Sequence, residues 1–172
     1  MALVIEDGTG KPNADSYVGV TSADTYALRR RITAWGGLTE EDKESALIQG
    51  FDAISQLYGR RFMGRRTNPA QAGVWPREGA YVEGRDIAST TVPEAVKSAQ
   101  IELAIESIKP GGLWASVDPN EPQLIERTVG PVTRKFKPRD PNAPTQKTFD
   151  KVEAMLAPYF DEEYMSLTVY RA

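Results

Sequence analysis

From Thr91 to Lys109 the chain reads TVPEAVKSAQIELAIESIK, a pattern that predicts one helix with clear ends. Wound at about 100° per residue, Ser98, Glu102, Glu106 and Lys109 form a narrow polar stripe. Val96, Ala99 and Leu103 form one apolar ridge, and Ile101, Ala104, Ile105 and Ile108 form a second. Pro93 suits a first turn, where its missing N–H costs nothing, and Glu94 complements the helix dipole. Pro110 and the glycines Gly111 and Gly112 stop the run. A helix resting on one core needs an apolar arc of about 100°. This arc is wider, so more than one neighbour is expected: other helices of the same chain, or the core on one ridge and a second subunit on the other.

Three further helices follow from the same period. Thr21-Ser22-Ala23-Asp24 resembles a capping box and opens a short helix to about Arg31. Trp35-Gly36-Gly37-Leu38 reads as a loop, after which Thr39 caps a helix with Glu40, Glu41 and Asp42 in its first turn. Leu47, Phe51, Ile54 and Tyr58 make its core-facing stripe, Gly59 ends it, and Gly50 marks a place where another backbone comes close. A last helix opens at Thr145 or Thr148, carries Phe149, Val152, Leu156 and Tyr159, and closes at Pro158.

Extended segments are fewer. Leu3–Ile5 and Tyr17–Val20 could pair as a small ribbon, and Ile125–Lys137 reads as strand bent at Gly130-Pro131. Lys137 to Gln146 is a proline-rich linker, and the tail after Asp161 is β-prone. The expected fold is mainly α: a small bundle of about four helices, a minor β element and an extended C-terminal segment. The expected division is 1–137 as the helical domain, and 138–172 as linker, last helix and docking tail.

Composition narrows the chemistry. The 172 residues carry a net charge of −3, so nothing draws the whole chain to nucleic acid or an anionic membrane. Cysteine and histidine are both absent. Disulfides, thiolate zinc sites, Cys nucleophiles and Ser-His triads are therefore excluded. No apolar run approaches the ~20 residues of a membrane span, and no secretion signal is visible, so a soluble chain made in a cytoplasm is expected. No enzyme, cofactor or metal is expected. Glu102 and Glu106, at i and i+4, read as a solvated face rather than a metal site. Gly8-x-Gly10 lacks the lysine and following helix of a phosphate loop.

One region does gather binding chemistry. Between residues 60 and 86 stand Arg60, Arg61, Arg65, Arg66, Arg77 and Arg85, interleaved with Phe62, Trp75 and Tyr81. Such a stretch suits a single-strand-binding surface. It equally suits a subunit contact, because Arg, Trp and Tyr anchor interfaces. Irregular spacing favours the contact, with Trp75, Pro76, Arg77, Tyr81, Ile101, Ile105 and Ile108 as subunit-contact or loop anchors. Arg60, Arg61, Arg65 and Arg66 remain candidates for phosphate. Arg29, Arg30 and Arg31 read as a solvated last helical turn, with phosphate contact as the second reading.

Three strings carry a resemblance: VIEDGTGKPNADSYVGVTSADTY, QAGVWPREG followed by VPEAVKSAQIELA, and ERTVGPVTRKF. Together they resemble the head–tail connector (adaptor or head-completion) proteins of tailed phages, one branch of which is labelled DnaT-like single-stranded-DNA-binding. The resemblance covers roughly residues 3–137. It implies a virion protein made in the host cytoplasm, with about a dozen copies forming a ring beneath the portal. Its implied partners are the portal protein, a tail or second head-completion protein, its own copies, and DNA passing through the lumen without sequence-specific contact. It also implies no membrane partner and a C-terminal segment that docks on the portal. That points to Tyr159, Phe160, Tyr164, Met165, Leu167, Val169, Tyr170 and Arg171.

Overall fold

In the computed structural model the residues described are 3–114, 124–128, 133–136 and 147–161. The helices are α1 (Val20–Arg29), α2 (Thr33–Gly36), α3 (Glu40–Tyr58), α4 (Glu94–Ser107) and α5 (Asp150–Leu156). The strands are β1 (Arg65–Arg66), β2 (Arg77–Glu78), β3 (Tyr81–Val82), β4 (Arg85–Asp86), β5 (Leu124–Thr128) and β6 (Thr133–Phe136). They pair antiparallel as β1–β2, β3–β4 and β5–β6. The fold is mainly α with minor β, as the apolar periods predict.

The composition shift at 137–138 predicts a boundary there. The contacts instead divide the chain into Met1–Gly112 with Phe149–Ala172, and Leu113–Thr148. The reason lies in α5. Its apolar stripe, Phe149, Val152 and Leu156, is buried, and α5 packs on α4, so the last helix belongs with the first unit. The second unit holds the β5–β6 hairpin, whose register slips between Leu124 and Glu126.

Helix α4 is enclosed almost all round: Val96 and every residue from Ala99 to Ile105 are buried. Both apolar ridges find cover inside the chain. Ile101, Ala104 and Ile105 pack with Val18, Tyr26, Trp35 and Leu47, and Ile108 leans on the same cluster. This corrects the reading of Ile101, Ile105 and Ile108 as subunit contacts, because α1, α2 and α3 already take that side. The polar stripe is corrected too. Glu102 is buried and accepts from the Tyr26 hydroxyl at 2.6 Å and from the Lys151 ammonium.

Gly50 stands where α3 meets α4. A Cβ there would lie 2.5 Å from the Gln100 carbonyl oxygen and 3.1 Å from the Ala104 nitrogen. Gln100 itself is fully buried. Its Oε1 accepts the Tyr17 N–H at 2.8 Å, and its Nε2 donates to Ser16 Oγ at 2.7 Å and to the Leu47 carbonyl at 2.8 Å.

Local signals vary in outcome. Thr39 caps α3 as expected, its Oγ1 accepting from the Asp42 N–H. The capping box of α1 does not form: Gly19 is the N-cap and makes no side-chain bond. Asp24 instead accepts the Trp35 indole N–H at 2.8 Å and pairs with Lys43 at 2.9 Å. That contact turns the expected 35–38 loop into a helical turn with Trp35 buried. The N-terminal ribbon reduces to one parallel bridge, Ile5 to Ser16.

The α3–α4 approach yields a test. Gly50→Ala improves intrinsic helix propensity by about 1 kcal/mol. The backbone clash should outweigh this and leave a net loss of about 1–3 kcal/mol. Urea unfolding measures it, and an unchanged or raised midpoint would show that the helices separate freely.

Candidate functional site

The arginine-rich stretch is built on two short hairpins. In the first, Arg65 pairs with Glu78 and Arg66 with Arg77. In the second, Tyr81 pairs with Asp86 and Val82 with Arg85. The second turns through Glu83 and Gly84, both at positive φ (51° and 74°), as a type I′ turn requires. Glutamate rarely takes that conformation. Gly64 joins the two hairpins: a Cβ there would sit 2.3 Å from the Glu78 carbonyl oxygen. The Tyr81 N–H also donates to Met63 Sδ at 3.2 Å.

What holds the hairpins is buried. Arg77 donates through Nε to the Met63 carbonyl (2.7 Å), through Nη1 to Val74 (3.1 Å), and through Nη2 to Phe62 (3.1 Å) and Gly64 (2.6 Å). Burial pushes its pKa below the usual guanidinium value. Trp75 is fully buried, and its ring meets Phe62 and Tyr159 edge-on. Pro76 is buried behind a cis peptide bond. The Tyr17 hydroxyl accepts the N–H groups of Val74 (2.8 Å) and Trp75 (3.1 Å). Trp75, Pro76 and Arg77 therefore anchor the loop to the chain's own core, and they are not exposed to a neighbouring subunit.

The same holds for two residues expected to dock on a partner. Phe160 is buried between Tyr58 and Phe62 and bridges antiparallel to Phe62, while Tyr159 packs on Trp75. Tyr159 and Phe160 pack on the fold that carries them, which corrects the docking role of these two. Tyr164, Met165, Leu167, Val169, Tyr170 and Arg171 lie outside the described residues.

The remaining arginines separate into engaged and free. Arg61 pairs with Glu153 at 2.6 Å, and its guanidinium carbon lies 4.2 Å from the Phe160 ring centroid. Arg65 pairs with Glu78 at 3.0 Å, yet its side chain stays 83% exposed. Arg60, Arg66 and Arg85 are exposed and form no ion pair among the described residues. Tyr81, on β3 opposite the strand that carries Arg85, is half exposed. Residues 60–86 hold six arginines and three carboxylates in a chain of net charge −3, so the positive charge is concentrated here.

Other candidates do not assemble. The amides that a phosphate loop would offer are already taken: the Glu6 carboxylate accepts the N–H groups of Gly8 (2.8 Å), Gly10 (2.9 Å) and Lys11 (2.7 Å). Glu102 is engaged with Tyr26 and Lys151. Among the described residues, no group of three metal-ligating side chains comes together, and no helix is long and apolar enough to cross a membrane. Gln100, Glu6 and Tyr17 are the structural polar residues that sequence reasoning passed over. The available signal for Gln100 was its position as a lone amide between two apolar ridges.

The buried phenols make this region sensitive to alkali. Burial pushes the Tyr17 hydroxyl up to about 12, and burial with the nearby Glu153 carboxylate does the same for Tyr58. A raised folded pKa favours the protonated phenol, so stability should be complete below about 10 and fall as pH climbs from there towards 12. Denaturant midpoints along an alkaline series measure this. Tyr17→Phe should lower the midpoint at every pH and flatten the alkaline slope. A wild-type midpoint that stays level above pH ~10 would contradict it.

A family model described as "Putative DnaT-like ssDNA binding protein" matches residues 1–172. A comparison with curated proteins and one with solved structures each found no match.

Proposed function

The chain belongs to this DnaT-like family, and from that premise we propose that it binds single-stranded DNA through the arginine face of its two joined hairpins. The observation that carries the reading is the set of exposed cations, Arg60, Arg66 and Arg85, that form no ion pair among the described residues, together with the half-exposed Tyr81 on the hairpin that carries Arg85. A single strand presents phosphates along its backbone and unstacked bases. Cations track the first and an aromatic ring stacks on the second. Guanidinium forks suit phosphate oxygens particularly well. Buried Arg77 contributes by holding the loops, not by touching DNA.

A second reading rests on the resemblance to phage connectors and on one structural observation. Leu113–Thr148 forms a unit of its own around β5–β6, with Arg127 opposite Arg134 and Glu126 opposite Lys135. A self-contained basic hairpin suits an arm reaching a neighbouring copy in a ring. In this reading the chain joins capsid to tail beneath the portal, and the arginine face lines a DNA channel. In both readings the chain acts by binding and transforms no substrate.

Two measurements follow. Oligo-dT should bind at low salt, with log affinity falling against log salt by roughly 0.7 per neutralised phosphate. Replacing Arg60, Arg66 and Arg85 together with alanine should weaken binding about tenfold or more and flatten the slope by about two. Absence of binding at low salt would remove the first reading. For the second, electron microscopy of the protein mixed with its portal should show rings of matched rotational order. A protein that ignores the portal would remove it.

A further inference from the structure

Helix α1 ends in a second basic cluster, Arg29-Arg30-Arg31, well apart in sequence from the hairpin face. One member is held in place. The Arg30 guanidinium carbon lies 3.4 Å from the centroid of the Tyr26 ring, so the cation sits over the phenol. Tyr26 in turn is fixed from below: its hydroxyl donates to buried Glu102 at 2.6 Å. The result is a planar cation with one face covered and its position set by the core. An arginine on a solvated helical turn ordinarily has no such support.

Arg30 lines a cavity of about 600 Å3 between α1 and the start of α4. That volume falls within the roughly 300–1,000 Å3 typical of small-molecule sites. Its walls mix three kinds of chemistry. Arg29 and Lys97 add positive charge to that of Arg30. The Ser22 and Ser98 hydroxyls offer hydrogen bonds. Val18 and Ile101 supply apolar surface. The one carboxylate among the lining residues, Glu94, lies 3.5 Å from the Lys97 ammonium and is 84% exposed, so it offsets only part of the charge. A ligand matching these walls carries both an anion and a flat, weakly polar ring.

We propose that this cavity seats one nucleotide unit of a single strand, with the base stacked on the free face of Arg30 and the phosphate held by Arg29 and Lys97. Guanidinium planes stack on bases as well as on aromatic rings. The Tyr26–Arg30 pair then serves as a platform built in advance. This inference deepens the single-strand reading and rests on it, but it uses none of the hairpin residues. A strand held here and on the hairpins would be gripped at two places.

The test is titration of the full chain with thymidine 5′-monophosphate, with inorganic phosphate alone and with thymidine alone. It is followed by heteronuclear NMR and calorimetry. The nucleotide should shift the backbone signals of Ser22 and Ser98 and the Arg30 side-chain Nε. It should bind at least about tenfold tighter than phosphate, since stacking of one base contributes at about that level. Arg30→Ala and Arg30→Lys should both lose that advantage, the second despite keeping its charge. Lys97→Ala should weaken nucleotide and phosphate alike. The triple hairpin variant should bind the mononucleotide unchanged. Equal affinity for phosphate and nucleotide would overturn the proposal, as would full affinity in Arg30→Lys or an absence of shifts at these residues. Oligo-dT binding without mononucleotide binding would sink the cavity and leave the hairpin reading standing. Mononucleotide binding without oligo-dT binding would remove the single-strand reading and, with it, the seating of a strand unit in the cavity.

Discussion

The fold depends on one buried amide. Helix α4 is enclosed on nearly every side, so a polar residue inside it must find all its partners within the protein. Gln100 does so by joining two separate pieces of chain to α4: the Ser16 hydroxyl and Tyr17 N–H of the N-terminal segment, and the Leu47 carbonyl on α3. Removing it would strand those groups away from water, at roughly 1–3 kcal/mol for each one left unsatisfied. Gly50 makes the arrangement possible. Only a residue without Cβ lets α3 come near enough for the Leu47 carbonyl to be reached.

Tyr17 carries this constraint outwards. Its backbone is held by Gln100, and its hydroxyl holds the amides of Val74 and Trp75. From there Arg77 gathers the carbonyls of Phe62, Met63 and Gly64, and Phe160 seals the other side against Phe62. An unbroken series of buried hydrogen bonds and ring contacts thus runs from the centre of α4 to the base of the hairpins. The exposed arginines have defined places because their backbone does. Cations at the end of an unsupported loop would lose more conformational entropy on meeting a strand.

The two basic surfaces illustrate the same principle in different ways. On and beside the hairpins, preorganisation comes through the main chain, and the side chains of Arg60, Arg66 and Arg85 are exposed. At the end of α1 it comes through a side chain, with Arg30 laid on a tyrosine that is itself bonded to buried Glu102. Each arrangement places a cation that forms no ion pair among the described residues. Arg61 shows the contrast, since its pairing with Glu153 and Phe160 turns a potential ligand contact into a clasp for the last helix and the residues that follow it.

Much of the helical layout was legible along the chain. The apolar periods located α1, α3, α4 and α5 to within a few residues, Thr39 announced its cap, and Gly50 announced a close approach. The absence of cysteine and histidine limited the chemistry at once. These signals are local, and local spacing is what a sequence records directly. Whether an apolar ridge meets its own chain or another, and whether an arginine is a tool or a strut, was decided only by the tertiary structure. Arg66 and Arg77 stand opposite each other on one hairpin and are the same residue type. One faces solvent and the other is enclosed by four carbonyls, because the loops at 62–64 and 74 close around it. Those carbonyls lie up to fifteen residues away in sequence, and no periodicity along the chain encodes which guanidinium they will surround.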